Sequence, residues 1–226
     1  MKNLLHVGCG YNTKKNILKY YDDEWKETRV DINPDVKPDI LGTMTDLSNV
    51  QSNFYDSIFS SHNIEHVYMH EVSIVLKEFY NVLKQNGFLV ITCPDIKSVS
   101  RLVIEDKLLE TAYESPAGSI NPADMIWGHG KSIKKGNEFM AHKCGFTKKT
   151  LMNALTEAGF KSVAGVEVPE HFELWAIAQK NKVEKEAFAE HIKKIISEFG
   201  KVKVWKYGHN RLNNYEKTFR DLGYSC

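Results

Sequence analysis

Short apolar runs alternate with longer stretches of mixed polarity over residues 1–180. A short apolar or alternating run bounded by Gly, Asn or Asp is typical of a β-strand. By this criterion the sequence predicts five strands in its first half, at 3–7, 28–32, 39–41, 55–60 and 87–93. Strands that alternate with helical stretches are typical of a parallel sheet covered by helices.

Three stretches carry helical signals. Apolar residues at period 3.6 predict a helix between the last two of these strands, ending at Asn86-Gly87. They are Val72, Val75, Leu76, Phe79, Val82 and Leu83. A second helix is expected from about Thr13, directly after the first strand. A third begins at Thr147, a residue type that caps helices, and ends at Gly159.

The second half of the chain departs from the simple alternation. The apolar runs 161–168 and 172–179 are separated only by 169–171, and so short a connection predicts an antiparallel hairpin. Between 94 and 146 the periodic pattern breaks down, and a passage of this length is usually functional. We therefore predict an α/β fold with a mostly parallel sheet, a C-terminal antiparallel hairpin and helices on both faces. A substrate cap at 94–146 precedes the last helix and the hairpin.

The tail has a different character. We predict one domain from 1 to 180 and a helical C-terminal appendage from 181 to 226. Its first helix has one apolar face, formed by Phe188, Ile192, Ile195, Ile196 and Phe199. A strand at 202–205 and a last helix at 212–222 are expected to follow. Nothing in the sequence indicates the function of the appendage or the oligomeric state.

Charge and composition exclude several classes of protein. Lys and Arg total 30 against 29 acidic residues, so no nucleic acid or anionic membrane is expected as a partner. The chain has no apolar run of the ~20 residues that a membrane span requires, and its N-terminus lacks the apolar core of a signal peptide. Cys9, Cys93, Cys144 and Cys226 have no C-x-x-C spacing, which predicts free thiols, no zinc frame and a cytoplasmic location.

The turn after the first strand is the first candidate binding site. Gly8-Cys9-Gly10 lets a ligand approach the backbone closely, and Asp31 follows Gly8 by 23 positions, at the end of the next strand. An acidic residue at about that distance holds a ribose diol in nucleotide-binding sheets. Thr13 stands where a dinucleotide site has its third glycine, which favours S-adenosylmethionine over NAD. The alternative is a plain strand-to-helix turn with a surface aspartate.

The chain resembles the class I, Rossmann-like methyltransferases that use S-adenosylmethionine. Five segments carry the resemblance in order: 5–10 (LHVGCG), 30–32 (VDI), 54–58 (FYDSI), 60–66 (SSHNIEH) and 83–91 (LKQNGFLVI). In particular it is similar to a group of predicted small-molecule or glycan methyltransferases with an S-H-x-L-E-H motif. The chain departs from that group at Asn12, where many members have glycine, and at 85–87, where Pro-Gly-Gly is usual.

This resemblance implies a role for each matching residue. Gly8 and Gly10 would pass under the methionine part of the donor, and Asp31 would accept from the ribose hydroxyls. Ile32 would lie along the adenine. Asp46 would accept from the adenine amino group with Leu47 beside it, although a helix-capping role for Asp46 is the alternative. Ser61 and His62 would line the entrance to the site where the methyl group is transferred.

Methyl transfer requires a protein to align the acceptor and remove its proton. His62 is the first candidate for the base by its position, and His142 and His129 in the cap are the second. A structural role for each histidine is the alternative. The sequence therefore predicts methyl transfer from S-adenosylmethionine to a small-molecule or sugar-type acceptor. A module that binds the donor without transferring the methyl group remains an alternative.

The same region admits a metal hydrolase as another alternative. His62, Glu65 and His66 spell H-x-x-E-H, and His70 continues the line. That motif requires a continuous helix, whereas His62 here follows a strand, so we predict no metal site and a bracing role for Glu65 and His66. The basic loop with Lys131, Lys134 and Lys135 is expected to be solvated, with contact to an anionic acceptor as the alternative.

Overall fold

The computed structural model describes residues 1–197. Phe199, the expected strand at 202–205 and the expected helix at 212–222 lie outside the described residues. A seven-stranded sheet in the order β3-β2-β1-β4-β5-β9-β8 forms the centre of the molecule. Its strands are β1 (Lys2–Val7), β2 (Trp25–Asp31), β3 (Ile40–Leu41), β4 (Tyr55–Ser61), β5 (Leu83–Pro94), β8 (Ser162–Val168) and β9 (Glu173–Gln179).

The pairing confirms the predicted architecture. The first five strands pair in parallel, and β9 lies antiparallel between β5 and β8. The connection Pro169–His171 is a 3-10 turn, as short as the sequence predicts. Neighbouring residues of each central strand point to opposite faces, so that Leu4 and Leu5 enter two different cores. Because both faces of the sheet are buried, the second half of β5, residues 88–93, is an almost continuous apolar run.

Helices α1 (Val72–Val82) and α5 (Lys148–Glu157) cover one face. The predicted period-3.6 residues Val75, Leu76 and Phe79 are fully buried there. Thr147 caps α5 as expected, accepting a hydrogen bond from the Thr150 amide. On this face the sequence pattern predicts the helices to within a few residues.

On the second face the prediction of a helix from about Thr13 is wrong. Residues 8–24 contain only one 3-10 turn, Lys14–Asn16. The segment that follows is irregular, and its apolar residues Leu18 and Tyr21 are buried in the cluster on this face of the sheet. Lys14 Nζ donates to the carbonyl oxygens of Asp22 (2.6 Å) and Trp25 (2.7 Å), which holds this segment in place without a helix.

Helix α6 (Lys185–Ser197) covers the remainder of the second face. Four of the predicted apolar residues, Phe188, Ile192, Ile195 and Ile196, are buried in the same cluster as Leu18, Tyr21 and Trp25. The start of the predicted appendage thus packs where the absent helix would otherwise be. Helices lie on both faces, as the fold class requires.

Truncating Ile192 to alanine is expected to lower the free energy of unfolding by about 2–4 kcal/mol, because a buried aliphatic side chain leaves a cavity. The Ile192 side chain is fully buried against the sheet. Urea titration followed by circular dichroism measures the change. Glu186→Ala, at an exposed position of the same helix, is the matched control and should shift the value by less than about 0.5 kcal/mol. Equal midpoints for the two variants would contradict a role of α6 in the core.

The segment 94–146 forms a compact excursion at one edge of the sheet. It contains α2 (Ile96–Ile104), the hairpin β6 (Tyr113–Ser115) and β7 (Gly118–Ile120), α3 (Pro122–Trp127) and α4 (Gly130–Lys134). Val99, Ile120 and Met125 form a small core of its own. The excursion leaves and rejoins the sheet at the end of β5, where Asp95 and Phe146 form a parallel bridge. None of the helices in residues 1–197 is long and apolar enough to cross a membrane.

Candidate functional site

The turn after β1 is held in a left-handed conformation. Gly8 has φ +66° and Gly10 has φ +52°, a region that favours glycine. Gly8 also meets the loop after β4, since a Cβ atom on it would lie 2.2 Å from Asn63 Cγ. By contrast, a Cβ atom on Gly10 would meet no protein atom within 4 Å. Gly8 is therefore required by packing, and Gly10 faces open space.

Asp31 contacts this turn directly. One carboxylate oxygen accepts from the Gly10 amide at 2.8 Å, and the other accepts from the Asn33 amide at 2.9 Å. The residue is buried, with 9% of its surface exposed. An ionised carboxylate has about four lone-pair positions, so two remain for a ligand. The structure thus brings together Gly8, Gly10 and Asp31, which the sequence places 21 and 23 positions apart.

Arg29 braces the same turn, and the sequence analysis missed it. Its guanidinium donates to the carbonyl oxygens of Gly10 (2.7 Å) and Asn12 (3.0 Å). Because no helix follows β1, the turn lacks the support of a helix N-terminus, and Arg29 supplies it from the neighbouring strand. Its position two residues before Asp31, on the same side of β2, was the available signal.

The residues expected near the adenine have different environments. Ile32 is 49% exposed beside Asp31. Asp46 is exposed, and hydrogen bonds from the Ser48 side chain and from the Ser48 amide, the latter 3.0 Å long, lower the pKa of its carboxylate. Leu47 lies in the main core with 2% exposed, and its amide donates to Glu78 at 2.8 Å. The Leu47 side chain therefore faces the core, and both of its backbone groups are paired, since the Leu47 carbonyl accepts from the Val50 amide at 2.8 Å.

Ser61 and His62 lie where β4 ends. Ser61 Oγ is 2.8 Å from Thr92 Oγ1 on β5. His62 has φ +48°, an uncommon conformation for a residue with a side chain, and its amide donates to the Thr92 carbonyl at 2.9 Å. His62 Nε2 contacts Glu173 Oε1 at 3.1 Å and Nδ1 lies 3.4 Å from Glu65 Oε1. Two carboxylates therefore flank the ring.

These carboxylates set the charge of His62. The surrounding protein reduces hydration of the ring and so lowers the pKa, although 51% of the side chain is exposed. The hydrogen bond with Glu173, the close ion pair with Glu65 and the charges of both carboxylates outweigh this and raise the pKa of His62 to about 10. The ring is then a cation, so the expected role as a base requires one of the ion pairs to break. Glu173 was missed because only the antiparallel pairing of β9 with β5 brings it to this edge.

Glu65, His66 and His142 form a third group at this edge. The 3-10 turn Ile64–His66 carries the first two, and His142 comes from the end of the cap. One potential ligand atom of each lies within 4.8 Å of the others, and the two histidine rings are 4.9 Å apart. Burial lowers the pKa of His142. The cap thereby contributes a side chain next to the end of β4.

The continuous helix needed by the H-x-x-E-H alternative is absent from residues 62–70. His62 directly follows β4, and Glu65 and His66 lie in one 3-10 turn. His70 lies in the next turn, Met69–Glu71, where its ring stacks on Tyr68. The arrangement expected for that class of peptidase is therefore not formed here.

The other cap residues singled out from the sequence have local roles. His129 precedes α4, and its Nδ1 lies 2.8 Å from Ser132 Oγ. Lys131, Lys134 and Lys135 are all exposed, as expected, but the predicted loop is a short helix here, since Lys131 and Lys134 lie in α4 and Lys135 caps it. These residues do not contact the groups at the end of β4 in the hydrogen bonds and ion pairs described for residues 1–197.

Comparison with known proteins bears on the first part of the sheet. Residues 5–91 match the family model described as a methyltransferase domain. This segment runs from β1 to β5 and contains Gly8, Gly10, Asp31, Ser61 and His62. The curated proteins include no match to the sequence.

Solved structures share the fold over most of the chain. One is an S-adenosylmethionine-dependent methyltransferase of Thermotoga maritima, described as a possible histamine N-methyltransferase. The TM-score is 0.51 at 16% sequence identity, and the alignment covers 80% of this chain and 83% of that chain. The 1,6-didemethyltoxoflavin-N1-methyltransferase of Burkholderia thailandensis, solved with 1,6-didemethyltoxoflavin and S-adenosylhomocysteine, gives 0.52 at 14% identity, with 80% and 71% covered. An S-adenosylmethionine-dependent methyltransferase of Methanosarcina mazei gives 0.50 at 18% identity, with 79% and 92% covered. At these identities the likeness establishes the fold.

Proposed function

We propose that this S-adenosylmethionine-dependent methyltransferase transfers the methyl group to a small-molecule or sugar-type acceptor held between the sheet edge and the cap. The observation that carries the proposal is the contact of the Asp31 carboxylate with the Gly10 amide, 2.8 Å long, at the carboxyl edge of parallel strands. Open α/β sheets bind their ligands at this edge. The match of 5–91 to a methyltransferase domain covers the same turn.

The donor is proposed to lie across the turn after β1. Gly8 and Gly10 leave the backbone open to the methionine part, and the free lone pairs of Asp31 suit the two ribose hydroxyls. Ile32 offers an exposed apolar surface for the adenine. Asp46 is exposed and able to accept from the adenine amino group, with the Leu47 backbone beside it.

The acceptor is proposed to enter beside Ser61 and His62, where the cap rejoins the sheet. The Lys143 amide donates to the Glu65 carbonyl at 2.7 Å, and His66 Nδ1 contacts the Ala141 carbonyl at 3.0 Å, so the cap is fastened to this edge. A cap suits an acceptor small enough to be enclosed. The structural neighbour from Burkholderia thailandensis holds a small molecule, which supports this class of acceptor. His62 and His142 are the proposed proton-transferring groups, by their position.

The proposal is tested by supplying methyl-labelled S-adenosylmethionine with two fractions of one cell extract. Label is expected in the low-molecular-mass filtrate and not in the retained nucleic acids and proteins. Incorporation only into macromolecules would contradict the acceptor class. Calorimetric binding of S-adenosylhomocysteine without transfer to either fraction would favour a module that only binds the donor. The cytoplasmic location inferred from the cysteine pattern belongs to the same proposal.

A further inference from the structure

The Glu65 side chain has an unusual environment. It is buried, with 1% exposed, and neither carboxylate oxygen accepts a hydrogen bond from the part of the chain that the structure describes. The contact with His62 Nδ1 is 3.4 Å long, an ion-pair distance without hydrogen-bond geometry. A buried carboxylate is costly unless its oxygens are satisfied. The two oxygens of Glu65 therefore lack a hydrogen-bond partner among residues 1–197.

His66 and His142 face the same point with matching tautomers. Nδ1 of His66 lies 3.0 Å from the Ala141 carbonyl oxygen, and Nδ1 of His142 lies 3.0 Å from the Met125 carbonyl oxygen. A carbonyl only accepts, so Nδ1 carries the proton in both rings. Nε2 then has a free lone pair in each. A backbone carbonyl on the opposite nitrogen is the usual support of a metal-bound histidine.

Backbone contacts hold the three side chains in place. The Glu65 carbonyl accepts from the amides of Lys143 (2.7 Å) and Cys144 (3.2 Å), which lie directly after His142. Gly128, with φ +96°, lets the end of α3 approach this segment, because a Cβ atom there would lie 1.9 Å from the Met140 carbonyl oxygen. The His142 amide donates to the Trp127 carbonyl at 3.1 Å. The group is therefore built before any ligand arrives.

We propose that Glu65, His66 and His142 bind one divalent transition-metal ion at the join between the sheet edge and the cap. Two imidazole nitrogens and one carboxylate suit zinc, iron(II), cobalt(II) or manganese(II) better than the all-oxygen shell of calcium or magnesium. Three protein ligands leave coordination positions open. Resting on the proposed function, the open positions would take an oxygen of the methyl acceptor.

This site differs from the one that the H-x-x-E-H spacing indicates. The four-residue spacing in the sequence indicates His62, His66 and His70 as ligands. In the folded chain, His66 is instead grouped with Glu65 and His142. When the ion is bound, its bond to His142 Nε2 occupies the lone pair, so His142 no longer serves as a base. His62 Nδ1 lies 3.4 Å from an oxygen of the same Glu65 carboxylate.

The test is titration of the chelator-treated full chain with cobalt(II), followed by visible absorption, and with zinc(II), followed by calorimetry. One ion per chain is expected. Glu65→Gln and His142→Ala are expected to weaken binding by about 100-fold or more, since loss of even an outer-shell partner costs 10–100-fold. His70→Ala is the matched control and should bind as the wild-type chain does. The proposal would be overturned if the wild-type chain bound no ion, or if Glu65→Gln bound the ion as tightly as the wild type. Loss of binding only in His70→Ala would favour the histidines of the H-x-x-E-H spacing as ligands.

Two further measurements separate this result from misfolding and from the proposed function. Glu65→Gln keeps the shape of the side chain, so it decides the outcome if His142→Ala fails to fold. Zinc is expected to raise the melting temperature of the wild type but not of Glu65→Gln, and a rise in both would contradict the site. Calorimetry with S-adenosylhomocysteine reports donor binding independently, so each proposal can fail while the other stands.

Discussion

Asp31→Ala is expected to bind S-adenosylhomocysteine at least about 100-fold more weakly than the wild-type chain, because two hydrogen bonds to a carboxylate contribute about 1.5–3 kcal/mol each. The substitution removes both carboxylate oxygens that are proposed to accept from the ribose hydroxyls. It also frees the amides of Gly10 and Asn33, which the carboxylate holds at 2.8 and 2.9 Å. Calorimetric titration measures the dissociation constant. An unchanged constant would contradict the assignment of Asp31.

Asp39→Ala is the matched control for this experiment. Its carboxylate also accepts from a backbone amide of β2, that of Arg29, at 2.7 Å. The control therefore removes a similar structural contact from the same strand while leaving the turn after β1 intact. We expect it to bind the donor with an unchanged constant. Asp31→Asn keeps an oxygen for the Gly10 amide and should lie between alanine and the wild type.

Much of the fold could be predicted because its signals are local. The strand at 87–93 is an almost continuous apolar run, since both of its faces are buried, and the strand at 55–60 has Ile58 and Phe59, which enter the two cores. The helix from about Thr13 failed because the prediction assumed that a strand-to-helix turn must follow Gly10. The apolar residues Leu18 and Tyr21 instead pack directly on the sheet, and α6 covers the area beside them. A distant segment therefore decided the local structure.

Some residues of the candidate site could likewise be predicted from local sequence, and others could not. Gly8, Gly10 and Asp31 were accessible to prediction because β1 and β2 are neighbours in both sequence and sheet. Glu173 and His142 were not placed beside β4, since they reach it through the antiparallel pairing of β9 and through the return of the cap. No spacing rule connects Glu65 with a residue 77 positions later. The regular spacing of His62, His66 and His70 therefore indicated a different set of ligands from Glu65, His66 and His142, which the fold brings together.

A substitution in the turn after β1 is expected to have the second large effect, on the stability of the fold. Gly8→Ala is expected to lower the free energy of unfolding by about 2–5 kcal/mol, from the left-handed backbone and from overpacking together. The new Cβ atom would lie 2.2 Å from Asn63 Cγ and Nδ2 and 2.5 Å from Oδ1. Urea titration in the absence of donor measures the loss. A change below that of Gly10→Ala would contradict the close approach of the two loops.

Gly10→Ala and a double variant separate the two causes. Gly10 has a similar backbone conformation, φ +52°, but a Cβ atom added to it would meet no protein atom within 4 Å, so only the backbone cost of about 1–2 kcal/mol applies. Adding Asn63→Ala to Gly8→Ala removes all three clashing atoms and should recover the overpacking part. Coupling between the two substitutions then measures how tightly the loop after β4 is held against the turn after β1. If the two substitutions showed no coupling, the loop after β4 would not hold Ser61 and His62 at a fixed distance from the turn after β1. The proposed site for methyl transfer would then not be preorganised.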